Sequence, residues 1–190
     1  MNISDSPLPG LRLIEPRRFG DHRGFFAEIW NRKAYEDQGI AIDWVQDNHS
    51  LSATPSTLRG LHFQAPPHAQ AKLVRCGRGR LFDVVVDLRR GSPTYGQWGG
   101  FELSAENGHQ LLIPAGFAHG FVTREPNTEI VYKCSDYYAP ETEGAVAWED
   151  PEIGIDWGLD GTDPILSDKD RAAPRLSGVD TPFTYEETAP

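Results

Sequence analysis

The sequence predicts an all-β protein built as a barrel or sandwich, and three observations carry that prediction. Short runs with strand alternation recur at close spacing, helical periodicity is almost absent, and 19 Gly and 15 Pro punctuate the runs. At 190 residues the chain reads as one domain, residues 1–190, with a barrel core over roughly 40–140, an N-terminal arm and a C-terminal wrap.

Taken in order, residues 1–20 form an extended arm with one short strand at LRLIE. Asp21-His22-Arg23-Gly24 reads as a turn and Phe25 to Trp30 as the strand that follows. Asn31 to Gln38 is the best early helix, capped by Asn31 and ended by Gly39. Ile42 to Ser52 is strand-like, with Gln46, Asn48 and Ser50 on one face. In Leu58 to Gln64, alternation puts His62 and Gln64 on one face and Arg59, Leu61 and Phe63 on the other. A histidine flanked by Gly60 and Gln64 on a strand face suggests a polar interior, and so a pocket.

Leu81 to Arg89 carries a clean apolar face of Phe82, Val84, Val86 and Leu88. Asp83 and Asp87 lie opposite and, beside Arg80, Arg89 and Arg90, read as ion-paired surface groups. Trp98 to Leu103 is a strand, and Glu106-Asn107-Gly108 a hairpin-type turn. Phe117, His119 and Phe121 alternate on one face, as do Ile130, Tyr132 and Cys134 in the run Glu129 to Tyr137. Beyond Pro140 periodicity fades, apart from a capped helical turn at Leu166 to Asp170, and the tail from Pro174 reads as a loose wrap.

Composition narrows the function classes. Hydrophobic content of 38% with 24% charged residues is that of a globular chain. A net charge of −10 argues against nonspecific nucleic-acid binding, which needs a positive field, but leaves room for a small anion held by local arginines and lysines. Cys76 and Cys134 fit buried free thiols in a reducing compartment, although a bridge between them stays open. With no N-terminal signal pattern and no apolar run of membrane-spanning length, the expectation is a cytoplasmic protein without membrane partners.

The segment from Gly108 through Pro114 and Gly116 to His119 resembles the second motif of the cupin jelly roll. The first cupin motif carries a His-x-His pair, and here that pair is His62-Phe63-Gln64, with no acidic residue between Arg59 and Leu81. Metal binding needs convergent imidazole or carboxylate ligands, so the expectation is a cupin barrel without a catalytic metal. QDNHS at 46–50, LRGLHFQ at 58–64, QAKLVR at 70–75, FDVVVDLRRGSPTYG at 82–96, IPAGFAHGF at 113–121, YKCSDYYAPE at 132–141 and LSDKD at 166–170 together resemble the dTDP-4-dehydrorhamnose 3,5-epimerase family.

That resemblance implies a cofactor-independent isomerase that inverts carbons 3 and 5 of dTDP-4-keto-6-deoxyglucose. Both carbons adjoin the keto group, so the chemistry needs a base, a group that stabilises an enolate oxygen, and an acid on the opposite face. By resemblance these are His62 with Asp170 as its carboxylate partner, Lys72, and Tyr132. The same resemblance gives Arg23, Glu28, Gln46, Asp47, Asn48, Arg59, His119, Glu143 and Lys169 as substrate contacts, with Tyr138 stacking on the thymine. It also implies a homodimer whose N-terminal strands cross over, so that Arg23 and Glu28 serve the neighbouring pocket. Alternatives are a mono-epimerase, a 3,4-ketoisomerase and a non-catalytic sugar-nucleotide-binding cupin. Taken singly, His62 reads as a core histidine, Tyr132 as an interior aromatic, Asp170 as a helix-turn residue and Lys72 as an exposed strand lysine. Only the ordered set of motifs decides against those readings.

Overall fold

The computed structural model describes residues 1–186. The strands are β1 (Asn2–Asp5), β2 (Arg12–Glu15), β3 (Arg18–Asp21) and β4 (Gly24–Ala27), then helix α1 (Arg32–Glu36) and β5 (Gln46–Ser52). The barrel continues with β6 (Leu58–Gln64), β7 (Lys72–Arg78), β8 (Arg80–Asp87) and β9 (Trp98–Ser104). It closes with β10 (Gln110–Ile113), β11 (Phe117–Thr123), β12 (Thr128–Cys134), β13 (Glu143–Ala145) and helix α2 (Asp168–Arg171). A six-stranded sheet, β1-β2-β10-β7-β12-β5, faces a five-stranded sheet, β13-β6-β11-β8-β9, and β3 pairs only with β4. Every strand pairing is antiparallel, and successive strands repeatedly switch sheets, as in a cupin jelly roll. Among the described residues no helix is long and apolar enough to cross a membrane.

Three apolar layers hold this together. Between the sheets lie Val74, Leu111 and Ile130 from one side and Leu81, Val85, Phe117 and Phe121 from the other. The outer face of the six-stranded sheet, at Ile14, Leu73 and Leu112, is covered by Tyr35 of α1 and by Ile40. The outer face of the five-stranded sheet, at Leu58, Leu61, Val84 and Val122, is covered by Val146, Trp157, Leu176 and Phe183. Each fully buried Val or Leu of this kind contributes about 1.5–3 kcal/mol relative to exposure. The tail from Pro174 is therefore no loose wrap: Leu176 and Phe183 are part of the core.

That covering explains a second departure. The apolar face of β8 packs under the C-terminal segment, so its other face looks into the barrel. Asp83 and Asp87 are fully buried there, not on the surface. The ion pairing of Asp87 is real: Arg89 binds both its oxygens, at 2.8 and 2.7 Å, and Ser92 and Thr94 add hydroxyl donors. The turn at Glu106 to Gly108 joins β9 in one sheet to β10 in the other, so it is a crossover and not a hairpin. Helix α1 is shorter than expected, but Asn31 caps it by accepting from the Ala34 amide.

The strand that carries His62 is not regular. His119 on β11 pairs with His62, yet Phe121, two residues on, pairs with Arg59, three residues back. β6 therefore holds one extra residue, a bulge at Gly60-Leu61. Gly60 adopts φ +133°, and a Cβ there would lie 2.4 Å from the Gly120 Cα, so only glycine suits the position. The bulge corrects the simple alternation: Leu58, Leu61 and Phe63 face the outer layer, while Arg59 and His62 both face the barrel interior.

Candidate active site

Arg59, His62, Lys72, His119, Tyr132 and Asp170 line one cavity of about 270 Å³ inside the barrel. Arg59 and His62 come from β6 and His119 from β11, in the five-stranded sheet; Lys72 and Tyr132 come from β7 and β12 in the other. His62 and Tyr132 thus stand on opposed walls. A smaller cavity of about 110 Å³ adjoins it, sharing His62, Lys72 and Tyr132 and reaching Asn48, Gln64, Tyr138 and Glu143.

His62 is held by α2. Its Nε2 lies 2.7 Å from Asp170 Oδ1, the Ser167 hydroxyl donates to Asp170 Oδ2 at 2.7 Å, and the Gly60 amide donates to Oδ1 at 3.4 Å. Ser167 also accepts from the Asp170 amide, so the cap of α2 is Ser167 and the carboxylate is turned toward the pocket. Burial pushes the Asp170 carboxyl up, but the bonds from His62, Ser167 and Gly60 outweigh it and hold it below the usual carboxylate value. An ionised carboxylate at Nε2 favours the tautomer with its proton there, leaving Nδ1 as the unprotonated nitrogen.

A second imidazole–carboxylate pair sits deeper. His119 Nε2 lies 2.9 and 3.0 Å from the two oxygens of the fully buried Asp83. Burial pushes the Asp83 carboxyl up, with His119 and Lys72 opposing the shift. The Lys72 ammonium is pushed down by burial and drawn back up by Cys134, Asp83 and Glu143. Lys72 lines the main cavity and is not an exposed strand lysine. Burial also pushes the Tyr132 phenol up, so it stays protonated well above neutrality.

Around the smaller cavity, Gln46 and Asn48 face together from β5, joined by a 3.0 Å bond from Gln46 Nε2 to Asn48 Oδ1. Glu143 binds Lys169 at 2.6 Å and accepts from the Tyr138 hydroxyl at 3.0 Å. Glu143 is pushed up by burial but held below its usual value by Lys169 and Tyr138. Tyr138 is 59% exposed. Three candidates lie elsewhere within the single chain. The Asp47 carboxylate sits on the opposite face of β5 and binds Lys133, Arg23 binds Asp21 on the β3–β4 hairpin, and Glu28 accepts from Asn31. Ser50, Phe121, Ile130 and Ser167 also line the main cavity. Their shared faces with Asn48, His119 and Tyr132 were legible in the alternation, and Ser167 is the neighbour of Asp170 through the turn.

Cys76 and Cys134 are both buried free thiols. Among the described residues no three His, Cys, Asp or Glu side chains converge as a metal-binding group.

The model of one family, dTDP-4-dehydrorhamnose 3,5-epimerase, matches residues 5–178. The chain belongs to that family. A Pseudomonas aeruginosa dTDP-4-dehydrorhamnose 3,5-epimerase is 53% identical over 181 residues, covering 95% of this chain and 98% of its own. The fold of a Legionella pneumophila dTDP-6-deoxy-D-glucose-3,5-epimerase, solved with dTDP-4-keto-L-rhamnose, superposes with a TM-score of 0.92 at 46% identity, over 97% of this chain and 98% of that one. A 3'-monoepimerase from Streptomyces bikiniensis, solved with dTDP as a double mutant of a histidine and a tyrosine, gives a TM-score of 0.85 at 35% identity, over 91% and 86%. The histidine and tyrosine replaced there are separated as His62 and Tyr132 are here. Membership of the family makes this chain an isomerase acting on a sugar nucleotide.

Proposed function

We propose that this protein inverts carbons 5 and 3 of dTDP-4-keto-6-deoxy-D-glucose to give dTDP-4-keto-L-rhamnose, with His62 as base and Tyr132 as acid. The observation that carries the reading is the placement of a carboxylate-held imidazole and a protonated phenol on opposed walls of one cavity, with the Lys72 ammonium between the same walls. His62 takes the proton from a carbon beside the keto group, and the electron pair left behind moves to the keto oxygen as an enolate. Lys72 stabilises that oxyanion. Tyr132 then donates a proton to the other face of the same carbon; His62 releases its proton to solvent and Tyr132 regains one from it, and the reset pair repeats the cycle at the second carbon. Each cycle removes one proton and returns one, so no electrons are gained or lost and no redox cofactor is required.

Arg59 and His119 are proposed to meet the diphosphate and the sugar, and Gln46, Asn48, Tyr138, Glu143 and Lys169 the nucleotide end. Arg23 and Glu28 reach a pocket only if the β3–β4 hairpin crosses to a second copy. Support for such a homodimer comes from that hairpin, where Phe19, Phe25 and Phe26 are 52%, 60% and 70% exposed. Asp47 is assigned a contact only through its neighbours on β5. The free buried thiols suit a reducing compartment, which favours the cytoplasm.

The test is deuterium incorporation from D2O during turnover of dTDP-4-keto-6-deoxy-D-glucose. Label at both carbons is the expected result. Label at one carbon identifies a mono-epimerase, and no label with tight dTDP binding identifies a non-catalytic cupin.

A further inference from the structure

Gln64 stands where the first cupin motif places its second histidine, and its amide is engaged with a loop and not with the barrel interior. The residue ends β6 and is 5% exposed. Its Nε2 donates both protons, to the Tyr137 carbonyl at 2.8 Å and to the His68 carbonyl at 2.5 Å. Its Oε1 accepts from the Ala139 amide at 3.0 Å. Between those two contacts, the Tyr138 amide donates to Gln46 Oε1 at 2.9 Å. Two side-chain amides, one from each sheet, therefore hold three consecutive residues of main chain. The neighbouring loop is tied in as well: Gln70 Nε2 donates to the Asp136 carbonyl at 2.8 Å, and the Ala71 amide to the Ser135 hydroxyl at 2.8 Å.

The clamped main chain carries an exposed ring. Tyr138 keeps most of its surface open, and only its hydroxyl is held, by Glu143. An exposed aromatic on an unanchored loop samples many orientations, and ordering it on ligand binding costs free energy. Here that cost is met in advance by the amides of buried Gln64 and half-buried Gln46.

From this arrangement we propose that Gln64 is a positioning residue for nucleotide binding: it fixes Tyr137 to Ala139 so that the Tyr138 ring is presented, pre-ordered, at the mouth of the cleft. The proposal rests on the reading above in which Tyr138 meets the base of a dTDP-sugar. It assigns Gln64 to affinity and leaves proton transfer to its neighbour His62.

The experiment compares wild type with Gln64→Met, which keeps volume and loses every bond, and Gln64→Asn, which keeps an amide one methylene too short. Two readouts are taken: the Kd for dTDP by calorimetry, and kcat and KM for solvent exchange. The expected result is a Kd and KM raised about tenfold with kcat within about twofold, the scale expected when pre-ordering is lost and chemistry is untouched. In a Tyr138→Ala background the same Gln64 change should add little to Kd, because the two act through one ring. The Asn variant keeps the test available if the Met variant does not fold. An unchanged Kd, a fall in kcat at constant KM, or additive losses in the Tyr138→Ala background would each overturn the proposal. Wild type that fails to bind dTDP at all would instead overturn the substrate assignment.

Discussion

Asp170 Oδ1 lies 2.7 Å from His62 Nε2, although the two residues are 108 positions apart in the sequence. The bond forms because α2 returns against the middle of β6, where the Gly60 amide and the Ser167 hydroxyl complete the coordination of the carboxylate. It fixes which imidazole nitrogen is free, and in the proposed reaction it would stabilise the imidazolium formed on proton abstraction.

Asp170→Asn keeps shape and removes charge. Deuterium exchange at both carbons should slow by about 10²–10⁴-fold, the range for a disabled general base, with KM little changed. Exchange at the wild-type rate would show that His62 acts without its partner.

Tyr132→Phe removes the proposed proton donor and leaves the proposed base intact. The variant should still exchange substrate protons with D2O while net inversion falls by at least about a hundredfold. Loss of exchange and inversion in equal measure, followed by NMR of the sugar ring, would contradict an acid role.

Lys72 supplies a charge whose pKa is pushed down by burial. The ammonium is present below that lowered value and lost above it, so kcat should fall on the alkaline side before an ordinary lysine would titrate, near 10.4. Lys72→Arg should shift that fall upward or remove it, since guanidinium remains charged. Lys72→Met should lower kcat by about 10²–10³-fold where the wild-type ammonium is present, and the difference should shrink on the alkaline side.

Asp87 predicts acid sensitivity of the fold itself. Burial raises this carboxyl, but the bonds from Arg89, Ser92 and Thr94 outweigh it and the net shift is downward. A depressed folded pKa means that the stabilisation is full above the unfolded value near 3.9 and is lost as pH falls through the lower folded value. Asp87→Asn leaves Arg89 half-buried and without its partner, so urea unfolding at pH 7 should show a loss of about 3 kcal/mol. That difference from wild type should shrink below about pH 4.

The exposed phenylalanines of the β3–β4 hairpin bear on assembly. Sedimentation equilibrium should give a dimer for wild type, and Phe26→Asp should weaken it and raise KM as Arg23 and Glu28 leave the neighbouring pocket. A wild-type monomer with full activity would remove both residues from the site.

Much of this was legible in the residues themselves. The strand runs, the Asn31 cap, the shared face of Gln46, Asn48 and Ser50, and the capped turn at Ser167 all follow from local periodicity and side-chain chemistry. The ordered motifs carry the family resemblance without reference to the fold. Only the tertiary structure decided which face of each strand is interior. Periodicity separates two faces of a strand and is silent about what covers them. Asp83 and Asp87 looked exposed because their opposite face is apolar, yet Val146, Trp157 and Phe183, distant in sequence, cover that face and turn the aspartates into the barrel. Arg59 and His62 looked opposed because alternation assumes one residue per step. The extra residue at Gly60-Leu61, permitted by the close approach of Gly120, sets both in one pocket.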